Sequence, residues 1–68
     1  MKINYSEQVL EDLSSLNPIQ VHILLDYFEN KHYQSDTLIK GAKVFKSGIW
    51  RILFIEESDT ITVLRIIQ

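Results

Sequence analysis

The chain has no cysteine. That excludes a disulfide framework and any thiolate metal site, and it suits folding in a reducing cytosol. It has one proline, Pro18, and two glycines, Gly41 and Gly48. A Gly-rich phosphate loop is thereby excluded, as are Pro-rich or Gly-rich linkers, and no cofactor is expected. The longest uninterrupted apolar run, Ile52 to Ile55, falls far short of the ~20 residues a membrane-spanning helix needs. No basic stretch leads into an apolar core at the N-terminus, so no signal peptide is expected. The reading is a soluble, cytoplasmic protein with no membrane partner. Positive charge is also in short supply, with seven Lys and Arg against nine Asp and Glu and a net charge of −2.

What is present is unevenly spread. Residues 1–38 carry Lys2 and Lys31 against Glu7, Glu11, Asp12, Asp26, Glu29 and Asp36. From Lys40 to Arg51 there are Lys40, Lys43, Lys46 and Arg51 with no acid between them. A basic segment on an acidic chain marks either a phosphate or nucleic-acid contact, or a strand edge whose lysines discourage unwanted pairing. With 68 residues the chain makes one domain, and one this small buries only about 60% of its unfolded surface. Association would therefore help it.

The last third has the strongest pattern. Gly48–Ile55 and Ile61–Gln68 are rich in β-branched and aromatic residues and flank the polar stretch Glu56-Glu57-Ser58-Asp59-Thr60, which predicts an antiparallel hairpin. Both runs are apolar at nearly every position, so both faces need cover. Arg51 and Arg65 are the only charges inside them. If Glu57 pairs with Ile61, the two arginines share a face and form a clamp suited to phosphate. If Glu57 pairs with Thr60, they lie on opposite faces. The plainer alternative pairs each with a carboxylate such as Glu56, or lets it snorkel to solvent.

Ahead of the hairpin, Lys2–Tyr5 alternates and predicts a short strand. Ser6 is placed to cap a helix carrying Val9, Leu10, Leu13 and Leu16 on one face. Asn17-Pro18 opens a second helix with a wide apolar arc, Ile19, Val21, Ile23, Leu24, Leu25, Tyr27 and Phe28, making an αα-hairpin. Lys31–Thr37 reads as a loop, and Ala42–Lys46 as a strand. The predicted fold is α+β, with a strand, an α-hairpin and a three-stranded antiparallel meander, and with the helices on one face of the sheet. Among other candidates, His22 and Asp26 have i, i+4 spacing but make only two ligands, so no metal site is expected. Trp50 and Phe54 could stack on bases, but their strand spacing favours the core.

These elements and motifs together resemble the RelE/ParE toxin superfamily of bacterial toxin–antitoxin pairs, and residues 1–68 read as one domain of that type. The resemblance rests on the strand ending in Tyr5-Ser6 and on Val9-Leu10-Glu11-Asp12-Leu13-x-x-Leu16. It continues through the second amphipathic helix, Leu38-Ile39-Lys40-Gly41 and, most specifically, Gly48-Ile49-Trp50-Arg51-Ile52-Leu53-Phe54. It implies a toxin that inhibits translation by binding, and in some members cleaving, mRNA at the ribosome, with a cognate antitoxin as partner. Arg51 matches the family's strand arginine, and Lys43 or Lys46 its lysines, as catalytic candidates. Lys40, Arg65 and Trp50 are RNA-binding candidates. Up to Gln68 no residue matches the family's C-terminal arginine and aromatic, so nothing after Arg65 would supply an acid. The alternative is a catalytically silent module of the same fold, one that dimerises through the sheet or captures an antitoxin or a gyrase-like target.

Overall fold

The computed structural model describes residues 2–39 and 41–68. Its elements are β1 (Lys2–Tyr5), α1 (Glu7–Ser14), α2 (Pro18–Lys31), a 3-10 turn (His32–Gln34), β2 (Asp36–Ile39), β3 (Ala42–Ser47), β4 (Trp50–Glu57) and β5 (Thr60–Ile67). No helix among the described residues is long and apolar enough to cross a membrane.

Local chemistry sets the helix starts. Ser6 Oγ accepts the Val9 N–H at 3.3 Å, and Asn17 Oδ1 accepts the Ile19 N–H at 2.8 Å with Pro18 in the first turn. Each cap satisfies a donor that the helix itself leaves without a partner. The five strands form one sheet in the order β1-β5-β4-β3-β2. β1 runs parallel to β5, and the other pairs are antiparallel. The α+β class and the helices on one face agree with the sequence expectation. The strand count differs, because Asp36–Ile39 pairs with β3 as an edge strand where a loop was expected through Thr37. Its four residues, Asp-Thr-Leu-Ile, put two polar residues before two apolar ones and so do not alternate.

The sheet register sorts side chains onto two faces. Phe45, Ile52, Phe54, Ile61, Val63 and Ile66 join Val9, Leu24 and Phe28 in one buried cluster. This is the helix-bearing face. Phe28 is its keystone, fully buried with its ring edge-on to Phe45 and Phe54 at centroid distances of 5.5 and 5.1 Å. Tyr5 adds a tie between β1 and α2, its hydroxyl donating to Glu29 Oε1 at 3.1 Å. Burial, and then the Glu29 charge, push that hydroxyl's pKa up to about 12.

Parts of the predicted apolar faces stay open. Leu10 on α1, and Ile19 and Ile23 on α2, are each more than 60% exposed. A helix apolar over a wide arc cannot turn all of it to one sheet, and α2 turns Leu24 and Phe28 inward.

The β4–β5 turn holds a strained residue. Glu57 pairs with Thr60, leaving Ser58 and Asp59 as a two-residue loop, and Ser58 has φ 47°. A non-glycine residue there carries a steric cost that glycine avoids, partly offset by the extra freedom glycine gives the unfolded chain. Ser58→Gly is therefore expected to stabilise the fold by about 0.5 kcal/mol, raising the melting temperature by roughly 2–4 °C. A thermal melt followed by far-ultraviolet circular dichroism checks it, and a lower midpoint would refute it.

Candidate nucleic-acid interface

The face of the sheet without helices is defined by the same register. It carries Asp36, Val44 and Lys46, then Arg51, Leu53, Ile55 and Glu57, then Thr60, Thr62 and Ile67, and at its far side Lys2 and Asn4. Val44 lies outside the helix-side cluster yet is only 5% exposed, between its pairing partners Asp36 and Leu53. Leu53 and Ile55 are half-buried. The surface is thus an apolar stripe with a charged end.

That end is formed by Lys46 and Arg51, which pair directly across β3 and β4. Directly opposed residues have Cβ atoms roughly 4.5–5.5 Å apart, and like charges so placed repel. Both side chains are exposed. Lys46 has only a loose ion pair, Nζ to Asp36 Oδ2 at 3.9 Å with both groups largely in solvent. Arg51 makes no side-chain hydrogen bond or ion pair among the described residues. A guanidinium fork beside an ammonium, both solvent-facing, suits a phosphate: bidentate contact from the one and a point charge from the other.

The other candidates fall elsewhere. Lys43 pairs with Phe54, so it belongs to the helix-bearing face, where its Nζ donates to Glu56 Oε1 at 2.9 Å. The Lys43 hydrogen bond is the main cause holding the Glu56 carboxyl below its ordinary value. Glu56 is thus the partner of Lys43, not of an arginine. Trp50 also stands on the helix side, half-buried against the core cluster, so it does not share a surface with Arg51. Lys40 lies outside the described residues. His22 and Asp26 are exposed, and the described residues hold no group of three or more metal-ligating side chains. His32 rests against the Phe28 and Phe54 rings, with Nδ1 3.2 Å from the Glu29 carbonyl oxygen.

Arg65 behaves in a way neither register predicted. The turn is the even one, Glu57 opposite Thr60, which by alternation alone would put Arg65 on the face opposite Arg51. A bulge then intervenes: Phe54 pairs with Val63 but Leu53 with Arg65, leaving Leu64 as an extra residue. The shift returns Arg65 to the row of Leu53 and Arg51. Its guanidinium nevertheless crosses the edge of β5 to α1. Nε donates to Asp12 Oδ2 at 2.9 Å and Nη2 to Oδ1 at 3.1 Å, and Oδ2 also accepts the Ile66 N–H at 3.0 Å. Chiefly through the Arg65 hydrogen bond, and then the Ile66 N–H, the Asp12 carboxyl is held at about 2 from an ordinary 3.8. The Arg65 pKa is raised in turn. Asp12 is the residue that sequence reasoning missed. It sat on the polar side of a predicted helix, and a partner 53 positions away leaves no periodic signal.

With this geometry in place, the class of fold is clear: α+β, with a five-stranded sheet, two helices on one face and an open face bearing a pair of cations. A chain in the crystal structure of the toxin–antitoxin complex RelBE2 from Mycobacterium tuberculosis is similar to it, with a TM-score of 0.82 and 16% sequence identity, covering 98% of this chain and 88% of that one. At that identity the likeness concerns the fold. No protein-family model and no curated protein matches the sequence.

Proposed function

We propose that this chain is the toxin of a toxin–antitoxin pair, and that its helix-free face binds mRNA phosphates at the ribosome and so inhibits translation. The observation that carries the reading is the Lys46–Arg51 pair, two like charges held side by side with weak or no internal compensation. Such an arrangement costs stability in the free protein and gains its counter-charge from a bound anion. If the mRNA is cut by its own 2′-OH, that oxygen bonds to the adjacent phosphorus as the P–O5′ bond breaks, leaving a 2′,3′-cyclic phosphate and a 5′-hydroxyl, and negative charge builds on the phosphorus-bound oxygens on the way. Arg51 and Lys46 stabilise that charge, while neither is assigned the proton transfers. The RelE-like fold, shared with a protein solved as a toxin–antitoxin complex, supports an antitoxin as the natural partner. A ribosomal target places the protein in the cytoplasm.

A second reading is favoured by the apolar Val44–Leu53–Ile55 stripe on the same face. It makes the chain a catalytically silent module that captures a partner protein there. One experiment separates the two: cell-free translation with purified wild type beside Arg51→Ala. Inhibition by the wild type, reduced tenfold or more in the variant, is the expected result. Absence of inhibition by the folded wild type would remove the ribosomal reading and leave the binding module.

A further inference from the structure

β1 covers β5 only from Thr60 to Val63. Beyond that point the outer edge of β5 has no strand beside it among the described residues, and α1 lies there instead. Ser6 Oγ donates to the Leu64 carbonyl at 3.0 Å, and the Asp12 carboxylate accepts the Ile66 N–H. Two side chains thus satisfy edge groups that a sixth strand would otherwise have taken. For Ile66 alone a neutral acceptor would suffice. The carboxylate does more, taking Nε and Nη2 of Arg65 together.

Those two N–H groups form the fork with which an arginine grips a phosphate. The bulge at Leu64 puts the Arg65 backbone in the row of the helix-free face, diagonal to Arg51, whose direct partner is Ile67. Without the extra residue, Arg65 would oppose Ile52 on the helix side. The strand therefore brings a further cation up beside Lys46 and Arg51, and Asp12, only 10% exposed against 46% for Arg65, holds its fork away.

We propose that Asp12 is a positioning residue that limits the charged end of the helix-free face to two cations among the described residues, Lys46 and Arg51, by engaging the fork of Arg65 at the sheet edge. The inference rests on the reading of Lys46 and Arg51 as the anion site. Its consequence is a short footprint on a single-stranded RNA backbone in the wild type, and a longer, tighter one when Asp12 loses its charge. In Asp12→Asn the amide oxygen still accepts the Ile66 N–H, but the guanidinium is no longer held by a carboxylate and can turn to the next phosphate.

The test is binding of a labelled short oligouridylate, followed by fluorescence anisotropy across a series of sodium chloride concentrations. Asp12→Asn is expected to bind several-fold more tightly at low salt. Its log–log salt slope should steepen by about 0.7, the value for one more phosphate on a single strand. Asp12→Asn/Arg65→Gln should return to wild-type affinity and slope. A steeper slope that persists in the double variant would show that Arg65 does not carry the gain, and would overturn the proposal. So would an unchanged slope in Asp12→Asn. A wild type that binds no oligouridylate, with Arg51→Ala no different, would instead remove the anion site itself. The wild type gives an answer that needs no variant to fold. In nuclear magnetic resonance titrations the Arg51 Nε–Hε signal should move on adding the oligonucleotide while that of Arg65 stays in place. Movement of both would overturn the proposal.

Discussion

Phe28→Ala is expected to leave most of the chain unfolded at 37 °C. Phe28 is fully buried and packs edge-on against Phe45 and Phe54, so it is the principal side chain joining α2 to the middle of the sheet. Truncating a buried phenylalanine costs about 3–5 kcal/mol, through lost transfer energy and the cavity left behind. A domain of this size has a total stability on the order of 3–10 kcal/mol, and small single cores lie toward the low end. The loss is thus comparable with the whole. Relaxation cannot recover much of it, because both aromatic neighbours stand on strands fixed by pairing on either side. Ile19→Ala on the same helix is the control. Ile19 is 71% exposed, and its truncation should change stability by no more than about 0.5 kcal/mol. Urea unfolding followed by circular dichroism reads both. A cooperative transition in Phe28→Ala close to the wild-type midpoint would show that α2 is not held by this contact.

The contrast between those two residues also shows what the sequence made legible. Ile19 and Phe28 both belonged to the apolar arc of the predicted second helix, and nothing in the spacing said which would turn inward. Caps and turn residues were readable because they act locally: Ser6, Asn17-Pro18 and the polar Glu56–Thr60 stretch each marked an element boundary. The hairpin was readable because eight-residue strands repeat a pattern often enough. β2 was not, since its four residues are held by pairing with β3 and not by their own alternation.

The site was legible in proportion to how local its geometry is. Lys46 and Arg51 flank a tight turn at Gly48, whose φ of 59° suits a residue without a β-carbon. Four intervening residues bring the pair face to face. Arg65 depended on three facts separated along the chain: the parity of the turn, the extra residue at Leu64 and a carboxylate on the first helix. Each of the two registers considered from the sequence was partly right. The even turn is the one formed, and the bulge restores the row that the odd turn would have given. Lys43 and Trp50 stand on the face opposite Arg51 for a related reason. Each is one residue out of phase with the helix-free row, and a shift of one position moves a strand residue to the other face.

Arg51→Glu is expected to make the protein more stable and inactive. In the wild type Arg51 faces Lys46 across the strand pair, while the guanidinium of Arg65 is held away at the sheet edge by Asp12. No acidic side chain engages Arg51 among the described residues. Reversing its charge converts a repulsive cross-strand pair into an attractive one. The gain is about 0.2–1 kcal/mol, or roughly 1–8 °C in melting temperature for a domain of this length. A surface anchor chosen for folding alone would show the opposite sign. The same reversal places a carboxylate where the proposed phosphate sits, so inhibition of translation should fall at least as far as in Arg51→Ala and remain absent at every concentration tested. The two readouts constrain each other. Lost inhibition with a lowered melting point would be explained by unfolding, and would say nothing of phosphate. Retained inhibition with a raised melting point would show that the helix-free face does not meet RNA through Arg51. Only a gain in stability together with a loss of inhibition fits a cation pair kept at a cost to the fold for the sake of an anionic ligand.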